Sequence, residues 1–273
     1  MNQRFGINVL GRVDGMSVLD HIDMIADVGF GGVFTGWAHE EMEERTARAA
    51  KKSLFFQSIH APFEGVDAVW REGDEGRAFI DMLSECLLDC ARFSVPVMVL
   101  HPYIGFGRTY EANEIGLANF ARLVELAVKH GVRLAFENVE GEEYLAAIMD
   151  RFKDVREVGF CFDSGHELCY NRGKDMLALY GDRLFHTHLN DNVGVTGENI
   201  YWTDDLHLVP TDGKADWKDI AHRLDKTSYR DLLMCELTLV NKPNKHTHDG
   251  YIAMKIEDFY AYALDRVQKA FSL

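Results

Sequence analysis

Six side chains that can bind a cation or move a proton stand at the ends of apolar, β-prone runs. His60 follows LFFQSI, His101 follows VMVL, Glu137 follows RLAF, Asp163 follows GFCF, His188 sits in FHTHLND and Glu236 follows LLMC. Carboxylates and imidazoles with no thiolate among them form an oxygen and nitrogen donor set suited to Mn²⁺, Mg²⁺, Zn²⁺, Co²⁺ or Fe²⁺. Glu137, Asp163, His188 and Glu236 are the minimal set for one ion. A lone strand-end histidine is more often a hydrogen-bonded structural group. The glutamates resist that explanation, because a carboxylate inside a barrel needs a proton, a cation or several donors to offset its lost hydration. In TDDLHLVPTDGKADW, Asp205 and His207 have D-x-H spacing, which puts both side chains on one side of an extended segment. With His166 they form a set for a separate ion, or they fix the loop and receive substrate hydroxyls.

Eight apolar runs precede these groups or match the runs that do: FGINVL (5–10), FGGVFTGW (30–37), LFFQSIHAPF (54–63), VPVMVLHPY (95–103), VRLAFENVEG (132–141), VGFCFDSGHE (158–167), LFHTHLND (184–191) and DLLMCELTLV (231–240). A helical pattern follows each one, among them VLDHIDMIADVG, HEEMEERTARAAKK, EGRAFIDMLSECLLDCARF, a stretch from about Glu111 to His130, and the terminal IEDFYAYALDRVQKAF. Continuously apolar strands imply burial on both faces, as parallel strands covered by helices require. Eight such units in 273 residues favour one α/β domain over residues 1–273, a single (β/α)8 TIM barrel. The competing open, doubly wound sheet lacks a Gly-rich GxGxxG loop after its first strand, so no nucleotide cofactor is expected. In a closed barrel the C-terminal strand ends converge on one mouth, where the six groups would meet.

Composition narrows the partners. With 29 basic and 44 acidic residues and a formal net charge of -15, the chain lacks the clustered Lys and Arg that a nucleic-acid surface needs. Most of the acidic charge, as in EEMEER, reads as solvated helix face. The opening MNQRFGINVLGRVDG has an apolar run far too short to span a membrane and no small-residue cleavage pattern, so an unprocessed cytoplasmic protein is expected. Cys86, Cys90, Cys161, Cys169 and Cys235 are odd in number without CxxC spacing, and Cys86 and Cys90 read as small buried apolar side chains on one helix.

The motifs IHAPF, LHPY, FENVEG, FDSGH, HTHLND, the loop from Asp205 to Trp217 and the CE of MCELTL resemble the xylose-isomerase-like TIM-barrel superfamily over nearly the whole chain. The superfamily includes sugar isomerases and epimerases, myo-inositol catabolic dehydratases and endonuclease IV. Resemblance to the ketose 3-epimerases implies that Glu137, Asp163, His188 and Glu236 bind one divalent ion, commonly manganese, and that Glu137 and Glu236 move protons on opposite sides of the substrate. It also implies substrate contacts from His166 and from Glu143, six residues after Glu137. Resemblance to endonuclease IV implies three zinc ions: one on His60, His101 and Glu137, one on Glu137, Asp163, His188 and Glu236, and one on His166, Asp205 and His207. Sugar-acting relatives also keep histidines like His60, His101 and His207, which there serve as substrate-binding groups.

The favoured function is therefore metal-dependent isomerisation or epimerisation of a small ketose-like sugar through an enediolate, with Mn or Zn as the ion. The alternatives are a multinuclear zinc phosphoester hydrolase, a metal-dependent cyclic-polyol dehydratase and a non-catalytic sugar-binding barrel. Trp37, Phe63, Phe106 and Trp202 are candidates for an apolar wall at the mouth, and Arg12, Arg108 and Lys214 for contacts with an anionic substrate. Neither nucleic acid nor membrane is an expected partner. A homo-oligomer is an implication of the resemblance alone.

Overall fold

A computed structural model describes residues 4–11, 13, 15–106 and 111–272, so Arg12 and Arg108 lie outside the described residues. Its strands are β1 (Phe5–Asn8), β2 (Gly32–Gly36), β3 (Phe55–His60), β4 (Val97–Leu100), β5 (Arg133–Glu137), β6 (Val158–Asp163), β7 (Leu184–His188) and β8 (Leu233–Cys235). All seven strand pairings are parallel, in the order β7-β6-β5-β4-β3-β2-β1-β8. The ends of this sheet meet: Leu189 N–H donates to Met234 O at 2.7 Å, and Glu236 N–H donates to Leu189 O at 3.2 Å. That parallel bridge closes the cylinder.

Helices α1 (Val18–Val28), α2 (Met42–Lys51), α3 (Asp74–Arg92), α4 (Glu114–His130), α5 (Glu142–Arg151), α6 (Ser164–Cys169), α7 (Met176–Tyr180), α8 (Trp217–Asp225), α9 (Asp249–Ile252) and α10 (Ile256–Ala270) account for the other regular structure described here, with four short 3-10 turns. The helix expected from about Glu111 begins at Glu114, because the Asn113 side chain accepts a hydrogen bond from Gly116 N–H and stops the coil there. Cys86 and Cys90 are fully buried on α3, and Glu43 and Glu44 of the acidic run are exposed. Arg45 from that same run is buried, where it donates to Thr35 Oγ1, Gly36 O and Glu41. Among the described residues no helix is long and apolar enough to cross a membrane.

The two-residue period of the strands decides what reaches the mouth. Met98, Leu100, Leu134, Phe136, Phe160 and Phe162 belong to the large core that includes the helices, while Val97, Val99, Ala135 and Cys161 form a separate inner cluster. A fully buried Phe contributes roughly 1.5–3 kcal/mol relative to exposure, so this inside-outside register is strongly held. Two residues beyond Val99, Ala135 and Cys161 on the same inward face stand His101, Glu137 and Asp163. Deeper on that face, His186 of β7 is wholly buried between Gln57 Nε2 at 3.0 Å and Ser58 Oγ at 3.1 Å. Burial and the neighbouring His188 hold its pKa well below the usual imidazole value, so it is a neutral floor beneath His188.

Candidate functional site

The strand ends bring the expected groups together. Glu137, Asp163, His188 and Glu236 each present a donor atom, and those atoms lie within 4.8 Å of one another. Two further triads, His60 with Glu137 and His188, and Asp163 with His166 and His207, meet the same limit. The Glu137 carboxylate is wholly buried, with Oε1 at 3.1 Å from His188 Nδ1 and 3.2 Å from His166 Nδ1, and Oε2 at 3.4 Å from both His60 Nε2 and His101 Nε2. Glu236 Oε2 reaches the same His188 nitrogen at 3.2 Å. Its side chain is 20% exposed and lines three cavities at the mouth, of about 560, 370 and 540 Å³.

Donor chemistry favours a cation here. Both oxygens of Glu137 and the Nδ1 atoms of His166 and His188 are buried, and the two nitrogens meet Glu137 Oε1 at 3.2 and 3.1 Å rather than any outside hydrogen-bond partner. Buried polar atoms are rarely left without outside partners, and carboxylate and imidazole donors gathered this closely are the donor set of a divalent-metal site. The His60 ring lies with Nδ1 at 2.9 Å from Ala61 O, to which its N–H donates, and this turns Nε2 toward Glu137. The cluster can hold a divalent metal.

Burial alone would lower the His188 pKa, but the neighbouring carboxylates of Glu236 and Glu137 raise it to about 9. Burial pushes Asp163 up to about 6 against the pull of His166 and His207. Glu137 is held well below the carboxylate range despite its burial, by His188, His101 and His166.

Asp205 and His207 do meet, with His207 Nε2 at 2.9 Å from Asp205 Oδ2, and His166 Nε2 is 3.4 Å from Asp205 Oδ1. The segment is not simply extended: His207 takes φ +50°, and this turn also brings its Nδ1 to 3.1 Å from Glu236 O. Glu143 stands apart from the cluster. It is exposed at the start of α5 and lines a neighbouring cleft with Tyr103, Phe106, Glu140 and Arg172. Trp37, Phe63, Phe106 and Trp202 all line mouth cavities, whereas Lys214 is exposed and is not among their lining residues.

Several groups escaped the sequence reading. Lys242 lies over the Trp202 ring at 5.5 Å and 3.7 Å from Asp205, a cation at the mouth that no local motif announces. Glu140, in the quoted FENVEG, is buried beside the cavity and accepts from Gly105 N–H at 2.7 Å. Asn190 in HTHLND donates to Asp163 Oδ2 at 2.8 Å, and His166 N–H donates to Oδ1 at 2.6 Å, so both carboxylate oxygens are oriented from outside. Gly165 makes this possible, since a Cβ there would lie 1.9 Å from Asn190 Oδ1. Gly165→Ala is therefore expected to push Asn190 away and weaken divalent-metal binding by roughly 10–100-fold, the usual cost of losing an orienting partner of a ligand. Calorimetric titration with Mn²⁺ checks this, and unchanged affinity would refute it.

Residues 22–255 match the family described as xylose isomerase-like TIM barrel. An uncharacterized protein of Sinorhizobium fredii, y4fM, is 32% identical over 150 residues, which is 51% of this chain and 45% of that relative, so the match spans about half of the relative's length. Among solved structures, D-psicose 3-epimerase in the presence of D-fructose superposes with a TM-score of 0.73 at 14% identity, over 99% of this chain and 100% of that one. The D-psicose 3-epimerase of Clostridium cellulolyticum H10 with D-tagatose gives 0.72 at 14% identity, over 98% and 99%. The 3-keto-D-glucoside 4-epimerase YcjR of E. coli gives 0.70 at 15% identity, over 96% and 99%. At these identities the likeness to the solved structures is one of fold.

Proposed function

Because the chain belongs to the xylose isomerase-like TIM-barrel family, we propose that its mouth isomerises or epimerises a small ketose-like sugar with the help of one divalent ion, manganese or zinc. The observation that carries this reading is the pair of glutamates on one imidazole: Glu137 and Glu236, from β5 and the end of β8, both approach His188 Nδ1, at 3.1 and 3.2 Å. Binding alone would not require two carboxylates set around one point in this way.

Glu137, Asp163, His188 and Glu236 would hold the ion. Once bound, it supplies the positive charge that polarises a sugar carbonyl and favours an enediolate beside it. One glutamate removes the proton from the carbon next to the carbonyl, and the other returns it. Glu236 lines the cavities and Glu137 is wholly buried at the end of β5, and the mechanism assigns the two to opposite faces of the substrate carbon. His166 lines the 370 Å³ cavity with Nε2 3.4 Å from Asp205, and an Nε2–H shared between that carboxylate and a substrate oxygen would steady the charge that develops there. His60 and His101 line the same cavity and bind hydroxyls. Glu143 would serve only a substrate long enough to reach its neighbouring cleft.

One observation favours a second reading, multinuclear phosphoester hydrolysis. The triads His60, Glu137, His188 and Asp163, His166, His207 offer donor sets for further ions. Metal analysis of protein purified without chelator separates the two. About one ion per chain, with solvent deuterium entering a ketose in D₂O, is the expected result. About three ions and turnover of a simple phosphoester or an abasic-site duplex would replace the sugar reading with the hydrolytic one.

A further inference from the structure

We propose that the mouth contains a second ring-binding subsite between Trp37 and Phe63, so that the preferred substrate is a ketose carrying a further sugar ring rather than a free monosaccharide. This rests on the isomerase reading for the chemistry at the first ring, while the subsite itself is argued from the cavity.

Two lobes of the mouth share one wall. The 370 Å³ lobe contains His166, Asp205 and His207, and the 560 Å³ lobe contains Trp37, Gly36 and Met82; His60, Phe63, Glu64 and Glu236 belong to both. Each lobe alone is within the size range of a complete small-molecule site. A ketose ring set against Glu236 and His166 fills one lobe, and the other begins at that same glutamate, within reach of a single glycosidic bond.

The second lobe is built as a platform. Trp37 N–H donates to His60 O at 3.0 Å, which ties the residue to the end of β3. Its indole Nε1–H donates to Asp89 Oδ2 at 2.7 Å, and Asp89 is buried on α3, with His39 Nδ1 on the same oxygen at 2.8 Å. The ring is thus oriented before any ligand arrives, which lowers the ordering cost of binding. Phe63 is held likewise, stacked on His101 at 4.4 Å. Gly36 leaves open space beside the indole, where a Cβ would meet nothing within 4 Å. A lobe lined by Trp37 and Phe63 together with the carboxylates Glu64 and Glu236 suits a sugar ring, whose C–H face is apolar and whose rim is hydroxylated. The 540 Å³ lobe is less suited, because the Lys242 ammonium already lies over Trp202.

The test is a calorimetric titration of the Mn²⁺-loaded protein with D-fructose, lactulose and palatinose, the last two being fructose with a second ring attached. Lactulose or palatinose is expected to bind about tenfold more tightly than fructose, the gain from one buried ring contact. Trp37→Ala is expected to bring that ratio close to one. So is Gly36→Leu, which fills the lobe from an exposed position and leaves the Trp37–Asp89 bond intact, and circular dichroism checks the fold of both. Fructose binding as tightly as both disaccharides, or a ratio that survives both variants, would overturn the subsite. Deuterium uptake by the same sugars keeps the two proposals separate. Uptake without a disaccharide preference removes the subsite and leaves the isomerase, whereas a preference abolished by both variants with no uptake upholds the subsite and removes the isomerase.

Discussion

Glu137→Gln and Glu236→Gln are each expected to lower turnover of the sugar substrate by about 10²–10⁴-fold, the range that a positioned acid or base contributes. The substitution keeps the volume and removes the proton-carrying oxygen, so loss of activity reports chemistry rather than packing. The two variants should differ in a second measurement. Glu137 has four imidazoles on its two oxygens and no exposure, so an amide there also turns N–H donors toward His188 and the metal, and metal content should fall with activity. Glu236 is partly open to the cavities, and its variant should keep more of the metal while losing solvent exchange at the substrate carbon. Near-normal turnover by either variant with metal still bound would sink the two-glutamate mechanism.

Why the fold could be read from the chain, and part of the site could not, follows from the range of the interactions involved. Strand positions came from local apolar runs, and each of the eight falls within the stretch expected for it. Once the strands are parallel and closed, a period of two carries Glu137 and Asp163 inward without any further information. The convergence of six strand ends is thus a consequence of topology that local sequence already contains. The supporting contacts are of another kind. Asn190 reaches Asp163 across 27 residues only because Gly165 lets it approach, and Lys242 arrives on a long loop after β8 with no periodic signal. The short helix α6 was hidden for a similar reason. Asp163 both ends the apolar strand and caps the helix by accepting from His166 N–H, so FDSGHELC reads as a strand end followed by a loop until the carboxylate's second role is seen. Glu143 shows the limit of carrying a role over by spacing: six residues after Glu137 the chain has turned onto α5, and the side chain faces a different cleft.

His188→Ala is the other large expected effect, and its readout does not depend on knowing the sugar. His188 Nδ1 meets both Glu137 and Glu236, at 3.1 and 3.2 Å, and the ring stacks on Phe34 at 4.8 Å, so it is fixed before metal arrives. Removing a ligand should cost more than the roughly 10–100-fold lost with an orienting partner, and Mn²⁺ or Zn²⁺ binding should weaken beyond that range in a calorimetric titration. The same titration of the unsubstituted protein has a predictable pH dependence. In the metal-free chain His188 is protonated up to about pH 9, and a metal must displace that proton before it can bind the ring. Apparent affinity should therefore rise as pH rises from 7 toward 9, with proton release on binding, and level off above. For His188→Ala that part of the slope should disappear. Metal binding that is equally tight without this imidazole, and equally dependent on pH, would mean that the ion sits elsewhere and that the glutamates gather around His188 for structural reasons alone.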